Sequence, residues 1–177
     1  MLGLFDLVST LLCLRFWVST DELGAATLAA ALFPILDRLG GGGLVSAVVR
    51  EPDESPRAQS SQFWVVAGAS AAVCAIACAA RPLLGAWLPQ PIIASLVAAY
   101  GGKQVLQSFG VVPEGMLKRA LRYQELSMVR MIAKGVGTLS KLGFAWLGAH
   151  GVPDLRIWCF ALDPIATAAV QVIGVQL

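Results

Sequence analysis

The chain has 177 residues, of which 57% are hydrophobic and only 14% charged, and its mean hydropathy is +0.73. A soluble domain has about 45–50% apolar and about 25% charged residues, so this composition favours an integral membrane protein. The formal net charge of +2 is too small to indicate a nucleic-acid-binding protein. The opening residues, MLGLFDLVST, carry Asp6 and no basic residue, so they do not predict a secretory signal.

Six apolar stretches are long enough, or nearly so, to form membrane-spanning helices, which need about 20 residues each. The first is short, and the STDELG that follows it predicts a turn with Ser19 or Thr20 as the cap of the next helix. The stretch between Arg57 and Arg81 contains no charged residue and is the clearest span. We place the spans at 4–18, 23–49, 63–80, 92–112, 128–149 and 155–176. The predicted fold is therefore all-α: a polytopic transmembrane bundle that forms one domain over 1–177.

Prolines set two of the predicted boundaries. Pro82, Pro89 and Pro91 predict a loop over 81–91, with Trp87 at the membrane interface. Pro113 predicts the end of the fourth span.

Basic residues are distributed unequally between the two sides of this predicted bundle. If six helices alternate, the connections 50–62 and 113–134 share one side and carry seven basic residues: Arg50, Arg57, Lys118, Arg119, Arg122, Arg130 and Lys134. The other side carries only Arg81 and Arg156. The positive-inside rule therefore places the richer side and both termini in the cytoplasm. Within it, Lys118, Arg119 and Arg122 form a basic segment that either lies along anionic headgroups or serves only as a topological anchor.

Ionisable residues inside the predicted spans are the main functional signal, because each costs about 2.5–3.5 kcal/mol at mid-bilayer. Arg15 and Lys141 lie near span ends, where snorkelling explains them. Lys103 and Asp163 lie deeper, and glutamines one and four positions after Lys103 extend a polar stripe beside it. Three interpretations of Lys103 stay open: lining a hydrated cavity, pairing with another buried charge, and snorkelling.

No pattern in the sequence indicates an enzyme, a metal site or a cofactor. His150 is the single histidine and has no cysteine or carboxylate partner at ligand spacing. Cys74 and Cys78 share a helix face without a third ligand nearby, which favours packing as small hydrophobes. The glycine run at 40–43 lacks the spacing of a phosphate-binding loop.

Four segments carry a family resemblance: LDRLGGGGLVSAVVRE, SSQFWVV, VVPEGMLKRALRYQELSMVRMIAKGVG and WLGAHGVPDLRIW. They resemble segments of the oligosaccharide flippases of bacterial polysaccharide biosynthesis. The first resembles the end of the second helix of that family, and the second resembles the start of its third helix. The third resembles the approach to the fifth helix, and the fourth resembles the turn before the sixth. This family lies within the MATE-like superfamily, whose members have about twelve to fourteen helices in two bundles. The chain resembles the first bundle alone and is expected to be truncated.

The resemblance implies translocation of an undecaprenyl-pyrophosphate-linked oligosaccharide across the bacterial inner membrane for surface polymers such as exopolysaccharide or lipopolysaccharide. It implies a cationic cavity for the pyrophosphate, with Arg38 as the best match to a cavity position and Arg15 as a weaker one. Lys103 is a third candidate cavity cation, predicted from the polar stripe and not from the resemblance. The implied partners are membrane lipid, the lipid-linked oligosaccharide, and a second bundle or polysaccharide synthesis proteins.

Two alternatives stay open. A drug or cation antiporter fragment of the same superfamily would need membrane-embedded carboxylates, for which Asp37 and Asp163 are available. A non-transporting subunit that scaffolds a polysaccharide synthesis complex would fit a truncated chain. A membrane-embedded glycosyltransferase is disfavoured, because no loop offers a cluster of catalytic carboxylates.

Overall fold

The computed structural model describes residues 2–39, 55–87, 90, 92–151 and 155–176, and within these only the backbone of 2–5, 33, 35–39 and 56. The described ranges form seven helices: α1 (Leu2–Phe16), α2 (Thr20–Leu39), α3 (Pro56–Ala79), α4 (Arg81–Trp87), α5 (Ile92–Arg119), α6 (Tyr123–His150) and α7 (Leu155–Gln176). The predicted all-α fold is confirmed for them. The glycine run at 40–43, the rest of the second predicted span and Arg50 lie outside the described residues.

Local hydrogen bonds fix the starts of two helices. At α2, the Ser19 amide donates to the Glu22 carboxylate at 2.8 Å, and the Glu22 amide donates to the Ser19 hydroxyl at 3.3 Å. This reciprocal pair is a capping box, so Ser19 is the cap of the two predicted. At α3, the Ser55 hydroxyl accepts from the Ala58 amide at 3.2 Å, and Pro56 stands where its missing N–H costs nothing.

Two predictions based on prolines are wrong: that Pro113 ends a helix, and that the residues around Pro82 form a loop. Pro113 lies inside α5, which continues to Arg119. Pro82 lies in the first turn of α4, so 81–87 is helical where a loop was expected. An interior proline removes one backbone hydrogen bond, and the packing of a long helix can tolerate that loss. As a result, α6 begins at Tyr123 and only a turn at 120–122 separates it from α5.

Helices α5 and α7 form the centre of the bundle. α5 packs against α2, α3 and α7, α7 packs along α6, and α1 packs mainly on α6. Small residues allow the α6–α7 contact: a Cβ on Gly148 would lie 2.6 Å from the Arg156 backbone nitrogen, and one on Gly174 would lie 2.7 Å from a Val129 methyl group. The two helices therefore approach closely from Val129 to Gly148.

The outer surface of the bundle is strongly apolar. Large side chains such as Leu11, Trp64, Ile76 and Leu139 are exposed on α1, α3 and α6. Among the described residues, two helices are long and apolar enough to cross a membrane, Arg57–Ala79 and Leu155–Gln176, and only 22% and 28% of their apolar windows is buried. Since a core helix of a soluble protein would be mostly buried, this exposure points to a membrane environment. The count of six spans stays a prediction.

Candidate functional site

A cavity of about 400 Å³ opens between α1, α2, α5, α6 and α7. Its polar lining consists of Asp6 and Thr10 from α1, Thr27 from α2, Tyr100 and Lys103 from α5, Lys134 and Lys141 from α6, and Asp163 from α7. Three lysines and two aspartates thus face one space, which leaves the described lining with one net positive charge. Charges inside an apolar bundle are costly unless they are paired or serve a function.

Four of these charges form an alternating cluster. The Lys134 Nζ lies 3.1 Å from the Asp6 Oδ1 and 3.2 Å from the Asp163 Oδ2. The Lys141 Nζ lies 3.3 Å from the Asp6 Oδ1 and 3.9 Å from the Asp163 Oδ2. Lys141 also donates to the Thr10 hydroxyl at 2.8 Å. The cluster ties α1, α6 and α7 together through charge-assisted hydrogen bonds.

Burial divides the cluster into two pairs of side chains, one buried inside the bundle and one partly exposed to the cavity. The side chains of Lys141 and Asp163 are 4% and 6% exposed, whereas those of Lys134 and Asp6 are 21% and 51% exposed. Asp163 also accepts from the Thr167 hydroxyl at 3.3 Å. The interpretation that snorkelling explains Lys141 is therefore wrong, because its ammonium is buried and paired inside the bundle.

The spacing of α6 explains how both lysines reach the cavity. Lys134 and Lys141 are two helical turns apart and so lie on one face. Gly137 lies between them on that face: a Cβ there would lie 2.5 Å from the Asp163 Oδ1 and 2.9 Å from the Asp163 carbonyl oxygen, and it would overlap the Thr167 hydroxyl. The absence of a side chain at Gly137 lets Asp163 approach the two ammonium groups.

A proline in α7 adds a backbone acceptor to the cavity wall. Pro164 has no N–H, so the carbonyl of Phe160 loses its helical donor. The Tyr100 hydroxyl donates to that carbonyl at 3.4 Å and so links α5 to α7. The ring of Phe160 also faces the Lys141 ammonium, with 5.2 Å between the Nζ and the ring centroid.

The structure separates the three predicted cavity cations. Lys103 lines the cavity, and both cavity lining and pairing with another charge stay open for it. Arg15 is exposed on α1 beside the ring of Phe16 and is not a lining residue. Arg38 lies in the last turn of α2, but its side chain, like that of Asp37, is outside the described residues.

Sequence reasoning missed Asp6, Lys134 and Lys141 as members of one site. It assigns Lys134 to the connection 113–134, whereas the structure places this residue inside α6 and in the cavity. The predicted span 128–149 also includes Lys134, so the two sequence assignments of this residue overlap. The signal that could have found the pair is the seven-residue spacing of the two lysines, with Gly137 between them on an apolar helix.

The predicted basic segment is divided between the end of α5 and the following turn. The Lys118 Nζ lies 2.8 Å from the Glu114 Oε1, and Arg122 pairs with the exposed Glu125 at 2.6 Å. Arg119 is the last residue of α5. The segment is therefore not a continuous helix of its own.

Glu114 joins three helices at this end of the bundle. Besides Lys118 on its own helix, it accepts from the Arg130 guanidinium at 2.5 Å and from the Gln171 amide at 3.1 Å. Burial acts to raise the pKa of the Glu114 carboxyl, but the two cations outweigh it and hold the pKa below its ordinary value of 4.5. The ionised carboxylate thus links α5, α6 and α7. Glu114 lies just after residue 112, where the predicted fourth span ends.

A family model described as "Polysaccharide biosynthesis protein" matches residues 15–177. The chain belongs to this family. It is also similar to the succinoglycan biosynthesis transport protein ExoT of Rhizobium meliloti (strain 1021), with 27% identity over 158 residues. This match covers 89% of the chain but 31% of ExoT, so the chain spans about a third of the length of this relative. No solved structure matches the chain.

The polysaccharide biosynthesis family confirms the resemblance seen in the sequence. The family description places the chain in polysaccharide biosynthesis, and the relative ExoT is named as a transport protein. The family match begins at residue 15, so Asp6 and Thr10 on α1 precede the matched region. Lys103, Lys134, Lys141 and Asp163 lie within it.

Proposed function

We propose that this chain forms part of a transporter that moves a lipid-pyrophosphate-linked oligosaccharide across the bacterial inner membrane. The observation that carries the proposal is the cavity between five helices, lined by three lysines and two aspartates. Membership of the polysaccharide biosynthesis family supports the class of substrate. The relative ExoT, which is named as a transport protein, supports movement of a precursor and not its synthesis.

The chemistry of the cavity suits such a substrate. Lysine ammonium groups bind phosphate oxygens through charge-assisted hydrogen bonds, which strengthen where water is excluded. Hydroxyl groups of Thr10, Thr27 and Tyr100 offer neutral hydrogen bonds of the kind that sugars use. The lipid tail would remain in the bilayer along the apolar outer faces of the bundle.

The proposed orientation places both termini and the basic end of α5 in the cytoplasm. Cationic residues there, including Arg119 and Arg122, follow the positive-inside rule. Alternating access requires a second bundle that rocks against this one, and the chain spans 31% of ExoT. We therefore expect transport to need a second bundle, supplied by the rest of a longer protein or by a partner.

A cation antiporter is a weaker candidate. Its coupling cation would need free carboxylates, whereas Asp6 and Asp163 already pair with the ammonium groups of Lys134 and Lys141. Within the described residues, the cavity therefore favours an anion over a cation.

Complementation tests the proposal. The chain would be expressed, alone and with a second-bundle partner, in a strain that lacks its polysaccharide flippase, and surface polymer would be measured. We expect rescue with the partner, a loss of about tenfold or more in Lys103→Gln and Lys134→Gln at equal protein level, and no loss in Arg15→Gln. Arg38→Ala tests the cavity position that the resemblance implies.

Two results would contradict the proposal. Equal rescue by the lysine variants and by Arg15→Gln would remove the cationic cavity from the mechanism. Stable insertion without rescue, together with co-purification of a glycosyltransferase, would favour the scaffold subunit. Cysteine labelling at Ser19 and Ser55 tests the orientation, which requires the two positions to lie on opposite sides of the membrane.

A further inference from the structure

Asp6 is the member of the charge cluster that is held least firmly. Its side chain is 51% exposed, and its carboxylate contacts the ammonium groups of Lys134 and Lys141. Asp163, in contrast, is buried and has the Thr167 hydroxyl as a third partner. A ligand that enters the cavity can therefore reach the ammonium groups from the side that Asp6 covers, while Asp163 keeps its place.

Charge arithmetic favours replacement of Asp6 over simple addition of a ligand. With Asp6 in the cluster, the described lining carries three positive and two negative charges, which leaves one net positive charge. Without Asp6 the described lining carries two net positive charges. Each phosphate of a diphosphate diester carries one negative charge, so the ligand's charge matches the cavity only after Asp6 has left.

We propose that an entering diphosphate takes the place of Asp6 on Lys134 and Lys141 and thereby releases the N-terminal half of α1 from α6. The inference rests on the proposed function, because it assumes that this cavity receives the substrate. Phosphate oxygens replace the two carboxylate contacts, and they also replace the hydrogen bond from Lys141 to the Thr10 hydroxyl. No covalent bond forms or breaks.

The two halves of α1 are held by different forces, which makes such a release local. Near its C-terminal end, Cys13 and Val18 (just after the helix) pack in an apolar cluster with Ala145 and Cys159. Towards its N-terminal end, Asp6 and Thr10 make polar contacts with the two lysines of α6. Ligand binding removes the polar contacts and leaves the apolar cluster, so α1 pivots about its C-terminal end.

The first arm of the test measures binding. The full chain in lipid nanodiscs would be titrated by calorimetry with inorganic pyrophosphate and, separately, with geranyl diphosphate. Because Asp6 competes with the ligand for the ammonium groups, Asp6→Asn is expected to bind pyrophosphate about fivefold or more tightly than the unmodified chain. The matched control is Asp21→Asn, which removes a carboxylate from the first turn of α2 outside the cavity and should leave the affinity unchanged.

The second arm measures movement without altering the cluster. Ser9 lies on the buried face of α1 and is 2% exposed, so a cysteine there reacts slowly with a thiol reagent while α1 is in place. We expect pyrophosphate to raise the labelling rate of Ser9→Cys by about tenfold or more, read by site-resolved mass spectrometry. Ser70→Cys on α3, where Ser70 is 0% exposed, is the control and should stay unreactive.

The outcomes separate this inference from the proposed function. Binding that leaves Ser9→Cys unreactive, or that is not tighter in Asp6→Asn, overturns the exchange and leaves the cationic cavity standing. Movement with inorganic pyrophosphate but not with geranyl diphosphate supports the exchange and contradicts a lipid-linked substrate. Failure of both ligands to bind to the unmodified chain and to Asp6→Asn overturns the exchange, and complementation then decides the function by itself.

Discussion

Gly137 is the position where one added methyl group should disturb the site most. In Gly137→Ala, the new Cβ would lie 2.9 Å from the carbonyl oxygen of Asp163, which is backbone and cannot rotate away. An unstrained contact between carbon and oxygen needs about 3.3–3.6 Å, so α6 and α7 must separate by roughly 0.5 Å. The side chains of Asp163 and Thr167 would have to move as well, since both lie closer still.

The energy of this change can be bounded. Overpacking costs about 1–3 kcal/mol, whereas alanine gains up to about 1 kcal/mol over glycine in a helix. Gly135→Ala supplies the matched control, because nothing lies within 4 Å of a Cβ there and only the helix gain remains. The Gly137 variant should therefore unfold at a lower temperature than the unmodified chain, and the Gly135 variant at the same or a higher temperature.

Thermal unfolding in detergent, followed by tryptophan fluorescence, measures this difference. The control variant corrects for the change in helix propensity, so the difference between the two alanine variants isolates the contact with α7. Equal unfolding temperatures for Gly137→Ala and Gly135→Ala would refute the close approach of α6 to Asp163. They would also remove the packing argument for how the charge cluster is assembled.

Three further predictions concern the ends of helices. Since the pKa of Glu114 is lowered in the folded protein, its ionised form stabilises the fold above about pH 4.5, and this stabilisation is lost as the pH falls further. Glu114→Gln should thus cost about 1–2 kcal/mol at pH 7 and progressively less below pH 4.5, as read from thermal unfolding. Glu125→Gln, at an exposed position, should cost less than about 0.5 kcal/mol in the same assay. Ser19→Ala breaks the capping box with Glu22 and should cost about 1 kcal/mol, with faster amide exchange in the first turn of α2; unchanged exchange would contradict it. Arg156 donates to carbonyls at the end of α6, so Arg156→Gln should speed exchange in that last turn and not elsewhere.

Hydropathy predicted the positions of the helices well, because an apolar stretch can be recognised from its own residues without knowledge of its partners. The stretch between Arg57 and Arg81 became α3, and the last stretch became α7 over the predicted range. Helix ends were less predictable where proline occurs. Whether Pro113 ends a helix depends on the packing around it, and that information is not local in the sequence.

The charged site was only partly predictable for a related reason. Lys103 was found because a lysine followed by glutamines is conspicuous in an apolar stretch. Asp6 and Lys134 contact each other across 128 positions, and no local pattern reports such a pairing. Lys141 lies near a predicted span end, where snorkelling is an adequate explanation until its partners are known.

The separation of Asp6 from its partners along the chain also bears on how the protein is assembled. α1 is synthesised before α6, yet among the described residues both ammonium partners of Asp6 belong to α6, 128 and 135 positions later. A carboxylate without a partner costs about 2.5–3.5 kcal/mol in the middle of a bilayer. Until α6 has been inserted, the N-terminal half of α1 therefore gains nothing from entering the bundle. Helix α1 precedes α6 in the chain, but its N-terminal half is seated after α6, so the order of assembly differs from the order of the chain.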